Sequence, residues 1–186
     1  MRIIGGSARG LHLAPVGSGD AAAHLRPTSD RVRESIFNLL INGGYGHPVQ
    51  DARVLDVFAG TGALGLEALS RGAAEAGFIE NGLAALALLR RNIDLMRVTN
   101  RTTILRRDAC KPGINSAAPY DLVFLDPPYG KQMGEAALGA LALGWLAPTA
   151  LIVWEESTAP VVPPGFDQLD QRKYGDTLVT IVAPGT

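Results

Sequence analysis

The sequence predicts a doubly wound α/β fold with a mostly parallel, seven-stranded sheet, and three observations predict it. From Arg53 onward, apolar runs of four to six residues alternate with helical stretches. A glycine-rich turn, Gly60-Thr61-Gly62-Ala63-Leu64-Gly65, follows the first run and opens the first of those helices. Past Glu156 the helical stretches cease, and two segments close the chain with no helix between them, as an antiparallel hairpin requires.

Ahead of the main pattern, RIIGGSARGLHLAP reads as two short strands around a Gly-rich turn. Thr28 and Ser29 are suited to capping a helix in which Val32, Ile36, Phe37 and Leu40 recur at helical spacing. Residues 1–50 are therefore expected to form a small hairpin, loop and helix appendage on a main domain of residues 51–186. Within that domain VLDVF (54–58), AGFIE (76–80), TILR (103–106), DLVFLD (121–126) and ALIVWE (150–155) read as buried parallel strands. Crossover helices are expected at about 63–71, 82–97 and 132–143. After a loop carrying Pro160, Pro163 and Pro164, a short segment near 168–174 and the alternating TLVTIVA (177–183) supply the last two strands, the final one antiparallel.

A chain of 186 residues with 47% hydrophobic and 19% charged residues suits one globular core that needs no covalent staples. The single Cys110 excludes an internal disulfide, and His12, His24 and His47 are too scattered to suggest a metal site, so no metal is expected. No apolar stretch approaches the 18 or so residues of a membrane span, and the N-terminus carries no secretion pattern, so a cytoplasmic location is expected. Net charge is −1, but it is unevenly spread. Residues 1–33 hold five Arg against two Asp, and residues 90–111 hold six Arg and one Lys against two Asp. A basic face of that kind suits a nucleic-acid partner, although a solvated helix face has the same composition.

Glu80 lies 20 residues beyond Gly60, at the end of the next strand. Strand, turn, helix and acid thus have the spacing of a dinucleotide fingerprint, in which glycines admit the ligand and the acid takes a ribose hydroxyl. Asp56 changes the reading. A carboxylate ending the first strand would repel a pyrophosphate seated on the helix N-terminus, whereas it suits a ligand that is cationic there. S-adenosylmethionine carries an ammonium and a sulfonium. Its adenine is expected near Asp108-Ala109, after the third strand.

Asp126-Pro127-Pro128-Tyr129 ends the fourth strand, which the fold places beside the first. Two prolines remove two N–H donors, so the turn offers acceptors: the Asp126 carboxylate and the Pro127 carbonyl. An exocyclic base amine needs acceptors to localise its lone pair for attack on a methyl group, and Tyr129 offers a ring on which a base can stack. A cytosine-C5 methyltransferase would need a nucleophilic thiolate, and Cys110 has no base nearby in sequence; it reads as structural. Glu155, which ends the fifth strand, reads as a cap or part of a buried pair.

Several blocks together resemble the RsmD family, bacterial enzymes that methylate guanine N2 in 16S ribosomal RNA. They are RIIGG (2–6) with Arg9-Gly10, RPTSDRVRESIFN (26–38), LDVFAGTGALGLEALSRGA (55–73), LDPPY (125–129) and YGDT (174–177). The resemblance covers nearly all the chain and implies the class I S-adenosylmethionine-dependent methyltransferase fold and a 16S RNA substrate; a monomer acting on an assembling 30S particle is the expected setting, with free RNA the alternative. It further implies that Arg26 and Thr28 lie against the cofactor, that Asp56, Phe58, Gly60 and Gly62 hold its methionine moiety, that Glu80 and Asn81 take the ribose, and that Asp126 to Tyr129 hold the guanine. Arg9, Arg31, Arg33, Lys131, Arg172 and Lys173 are the candidate RNA contacts. Gly82 stands where many relatives have a polar residue, and the 111–119 segment is short. Two other functions share parts of this pattern: a DNA adenine-N6 methyltransferase, which shares D-P-P-Y, and a ribosome-assembly module that holds the cofactor without turnover.

Overall fold

The computed structural model describes residues 1–16 and 28–185. Its sheet contains β1 (Arg53–Val57), β2 (Glu75–Ile79), β3 (Thr102–Leu105), β4 (Tyr120–Leu125), β5 (Leu146–Glu156), β6 (Phe166–Tyr174) and β7 (Thr177–Pro184), in the order β3-β2-β1-β4-β5-β7-β6. Strands β1 to β5 are parallel, and β7 runs antiparallel between β5 and β6. The helices are α1 (Asp30–Asn42), α2 (Ala63–Ser70), α3 (Leu83–Met96) and α4 (Met133–Leu141).

Successive residues of the central strands are buried on opposite faces, which is why the runs are continuously apolar. Val54, Leu122, Phe124 and Val153 join one hydrophobic cluster with Ile36, Phe37 and Leu40 of α1, Leu66 and Leu69 of α2, and Leu89 and Ile93 of α3. Leu55, Val123, Leu125 and Ile152 join the other with Leu138 and Leu141 of α4 and with Trp145. Between β3 and β4 no described helix forms. Instead Trp145 Nε1 donates to Gly113 O at 2.8 Å and stacks on Tyr120, pinning that crossover as a loop. The chain steps outward from β1 to β3, then returns to lay β4 beside β1. That reversal opens a crevice at the carboxyl ends of β1 and β4.

At the N-terminus the expected pair of strands is reduced to one antiparallel bridge between Arg2 and His12. Ile3 N to Leu11 O at 2.9 Å and Leu13 N to Met1 O at 3.1 Å still join the two arms, while Ile4 N and Gly5 N each donate to the Glu67 carboxylate on α2 at 2.8 Å. Ser7 N donates to Ser70 O at 2.7 Å. Gly6 sits there at φ +76°, where an added Cβ would lie 1.8 Å from Ser70 O, so the close approach requires glycine. Ile3 and Leu13 enter the same apolar cluster as α2, so residues 1–16 share the main core.

Fully buried Glu67 also takes Arg71 Nε at 2.7 Å and has Arg33 Nε at 3.6 Å. Removing this carboxylate would strand two backbone donors and a buried guanidinium. Glu67→Ala is therefore expected to lower the unfolding free energy by about 3–5 kcal/mol, the cost of breaking a buried ion pair from one side. Urea denaturation with an unchanged midpoint would show that the N-terminal segment docks through its apolar contacts and the Ser70 hydrogen bonds without help from Glu67.

Candidate active site

Asp56 leaves β1 with 1% of its surface exposed. Its Oδ2 accepts Gly65 N at 2.9 Å, which satisfies a first-turn donor of α2 that the N-cap residue, Gly62, has no side chain to reach. The turn between them passes through positive φ at Phe58, Gly60 and Gly62. A Cβ on Gly62 would meet Leu89 Cδ1 at 2.3 Å, and one on Gly65 would meet Phe78 Cε1 at 2.5 Å, so glycine lets α2 close on the neighbouring elements. Glu80 holds the turn from the β2 side: Oε2 accepts Gly60 N at 2.8 Å, and Oε1 accepts Asn81 N and Gly82 N at 2.8 and 2.7 Å. The glycine at 82 thereby opens α3 against the acid.

Asp126 directly follows β4, and the register of Leu125 with Trp154 places it beside Glu155 at the end of β5. Thr28 Oγ1 lies 3.2 Å from Asp126 Oδ2 and 3.4 Å from both Glu155 oxygens. One hydroxyl proton can serve only one carboxylate at a time. Ser29 caps α1 by accepting Val32 N at 3.2 Å, which frees Thr28 for this bridge. Tyr129 is 38% exposed, with its hydroxyl 3.4 Å from Thr177 Oγ1.

These groups line one cavity of about 730 Å³. Thr28, Asp56, Phe58, Gly60, Glu80, Asn81, Asp108, Ala109, Asp126, Pro127, Pro128, Tyr129 and Lys131 all face it, and Gly62 forms the helix cap behind it. Asp108 also accepts Cys110 N at 2.9 Å. Acids dominate the interior, and the surroundings of Asp56, Asp126 and neighbouring Glu155 disfavour their charge. Burial holds the Asp56 carboxyl well above the usual range, with the charges of Asp126 and Glu80 adding to the rise and the Gly65 N–H opposing it. Burial raises Asp126 to about 7, the Thr28 hydroxyl opposing and Glu156 adding to it; Glu155 is raised by burial and by Asp126, while Thr28 and Arg33 oppose the rise. Burial, helped by Asp126, Glu155 and Glu156, pushes the Tyr129 phenol to about 12 against its Thr177 bond, so the ring stays neutral. A cation entering this cavity would relieve the carboxylates and a pyrophosphate would not.

Other expected contacts are placed differently. Arg33 is not available to RNA, because its side chain is fully buried. Its Nη2 donates to Asp30 at 2.9 Å and to Arg2 O, its Nη1 reaches Thr28 O at 3.4 Å, and its Nε approaches Glu67. Arg31 is exposed on α1 and lies outside the cavity lining. Arg172 and Lys173 are consecutive on β6, so they point to opposite faces, and neither lines the cavity. Arg172 instead pairs with Asp170 at 3.0 Å. Arg9 lies at a second, smaller cavity. Arg26 falls outside the described residues. Cys110 is unsuited to nucleophilic work: burial and the Asp108 charge raise its thiol, and Sγ contacts Met133 O at 3.6 Å. Glu155, read from the sequence as a cap or part of a buried pair, is 1% exposed and is bridged to Asp126 through Thr28, although only the adjacency of β4 and β5 names that partner.

Among the described residues no helix is long and apolar enough to cross a membrane. The family model described as conserved hypothetical protein 95 matches residues 1–183. The chain is 41% identical over 179 residues to ribosomal RNA small subunit methyltransferase D of Escherichia coli K12, covering 94% of this chain and 85% of that one. It is 38% identical over 173 residues to the protein of the same name from Haemophilus influenzae, covering 88% and 83%. The solved structure of the yhhF protein from Escherichia coli superposes with a TM-score of 0.82 at 34% identity, covering 100% of this chain and 98% of that one.

Proposed function

Because the chain belongs to the conserved hypothetical protein 95 family, which is the RsmD family, we propose that it uses S-adenosylmethionine to methylate the exocyclic N2 amine of a guanine in 16S ribosomal RNA. The observation that carries this reading is the shared cavity: the acceptor turn Asp126 to Tyr129 opens onto the same space as the acid-lined glycine turn. Its volume lies in the range of cofactor sites, and its buried acids suit a cation. The bound cofactor supplies a methyl group made electrophilic by a sulfonium.

In this reading Asp56 balances the ammonium while its other oxygen keeps α2 capped. Glu80, fixed by three backbone N–H groups, keeps lone pairs for the ribose hydroxyls. Asp108 and Ala109 border the adenine. Asp126 and the Pro127 carbonyl accept the two hydrogens of the guanine amine, which localises its lone pair, and Asp126 takes a proton as the new N–C bond leaves the nitrogen positive. Tyr129 stacks on the base, and Lys131 meets a phosphate at the rim. The N-terminal appendage meets the RNA through exposed residues such as Arg9 and Arg31. The enzyme works as a cytoplasmic monomer on an assembling 30S particle.

Tritium transfer from labelled S-adenosylmethionine to naked 16S RNA, small subunits and duplex DNA tests the function. Label recovered as N2-methylguanosine from either RNA substrate is expected; label in DNA adenine, or none, would overturn the assignment. Calorimetry tests the cofactor. S-adenosylmethionine is expected to bind and NAD is not, and Asp56→Ala should weaken the former by about 1.5–3 kcal/mol. Asp56→Asn separates charge from capping, since the amide oxygen still accepts Gly65 N. Equal affinity in wild type and both variants would remove Asp56 from the site.

A further inference from the structure

A second cavity, of about 360 Å³, lies between the N-terminal turn and α1, and its chemistry is the reverse of the first. Three guanidinium groups, those of Arg2, Arg9 and Arg71, line it against the single carboxylate of Glu34, with Asn38 beside them. Arg71 is held in one orientation by three contacts. Its Nε donates to Glu67 at 2.7 Å, its Cζ lies 4.8 Å from the centre of the Phe37 ring, and it packs flat on Gly5, where an added Cβ would come within 2.5 Å of Cζ and Nη2. Among the described residues neither amino group of Arg71 has a protein hydrogen-bond partner, and the residue lines the cavity with its side chain 14% exposed.

Arg2 makes only a long 3.7 Å approach to Asp30, and Arg9 is exposed with no side-chain partner among the described residues. Glu67 balances Arg71 from behind and Asp30 lies near Arg2, which leaves exposed Arg9 without a side-chain partner among the described residues, and a pre-oriented guanidinium fork such as that of Arg71 is the donor geometry that fits a phosphate. Helix α1 links the two cavities: Val32 lines the first and Asn38 the second, six residues apart, or roughly 9 Å along the axis.

We propose that the Arg2, Arg9 and Arg71 cavity holds a backbone phosphodiester of the RNA strand that delivers its base to Asp126. This rests on the RNA reading above, and it adds a site that contributes grip without touching the reacting atoms. Glu34 and Asn38 then face the sugar or base attached to that phosphate. Because a single phosphate is shared by the three arginines, their contributions to salt dependence do not add.

Titration of a 16S RNA fragment at several salt concentrations tests this, with cofactor affinity and thermal unfolding measured alongside. The Arg2→Ala/Arg9→Ala double variant should bind RNA roughly tenfold more weakly. Its log–log salt slope should fall by about 0.7, the value for one lost single-strand contact, with cofactor affinity unchanged. Arg71→Lys, which keeps the charge but loses the fork, should weaken RNA binding by a similar factor while its slope stays near that of the wild type, and the triple variant should lose no more slope than the double. Wild-type RNA affinity and slope in the double variant would overturn the site while leaving the methyltransferase reading intact. Saturation by inorganic phosphate that depends on Arg9, with RNA affinity unaffected, would make it a small-anion site and overturn the proposal. Absence of any salt-dependent RNA affinity in the wild type would remove both the site and the RNA reading.

Discussion

Asp126→Asn is expected to reduce the single-turnover rate of methyl transfer by about 10²–10³-fold at saturating cofactor, the effect of deleting one pre-oriented electrostatic stabiliser. The substitution keeps the shape and one acceptor oxygen, so the amine can still be held; the negative charge is lost. That charge matters most after the amine nitrogen has begun to take the methyl and turn cationic, so the loss belongs to the rate and not to ground-state affinity. The surroundings amplify it. Pro127 and Pro128 have no N–H to offer in compensation, and the Thr28 hydroxyl 3.2 Å away is shared with Glu155. An amide at this position also turns a donor toward Glu155, which favours a rotamer aimed away from the cavity. Tyr129 provides the contrast. Its Ala variant should weaken RNA capture through loss of stacking, whereas its Phe variant should be nearly silent, because the bond to Thr177 is long at 3.4 Å. Wild-type rates in the Asp126→Asn enzyme would reduce the D-P-P-Y segment to a strand-ending turn.

Much of this arrangement was legible in the sequence because its causes are local. A strand buried on both faces must be apolar throughout, so β1, β2, β4 and β5 could be read as runs, and Asp56, Gly60 and Glu80 could be read from spacing along one strand, turn and helix. Groups whose roles depend on distant chain were harder. Glu67 looks like the polar side of a helix, and only the docking of Ile4 and Gly5, some sixty positions earlier, makes it a buried hub. The N-terminal hairpin pattern was real, and Ile3 and Leu13 do pair across it, but the donors of Ile4 and Gly5 went to that carboxylate. Arg33 carried a signal that charge alone obscured: it precedes Ile36, Phe37 and Leu40 by three, four and seven residues, which puts it on the buried stripe of α1. Glu155 needed the neighbour relation of β4 and β5, which the sheet order supplies and composition does not.

The rate of methyl transfer is expected to fall with pH, by up to tenfold per unit below the point at which Asp126 takes a proton, which is about 7 in the ligand-free cavity and lower once the cationic cofactor is bound, because Asp126 must be ionised to accept the amine hydrogen. The groups around it explain why the ligand-free point lies so high. Burial disfavours its charge, Glu155 and Glu156 approach from β5, Asp56 from β1, and among the described residues the Thr28 hydroxyl and the Arg33 guanidinium behind Glu155 act in the other direction. Two carboxylates bridged by one hydroxyl retain a proton that isolated acids would release, so the profile belongs to the Asp126–Glu155 pair. Glu155→Gln removes one charge of that pair and should move the fall toward lower pH, a shift that a purely structural residue would not produce. Stability should run in the opposite sense. A carboxyl whose folded value lies above its unfolded value of about 4 contributes stability that is fully present below 4 and is lost as pH rises through 7, since the folded state binds more protons across that window. The enzyme without ligand is thus expected to lose this contribution over the range in which Asp126 ionises in the ligand-free cavity, and Asp126→Asn should flatten both trends. Single-turnover rates and urea midpoints collected at matched pH between 4 and 8 measure the two slopes. A wild-type rate that is level from pH 5 to 8 would mean that Asp126 is already ionised at acid pH and that the buried pair does not govern the chemistry.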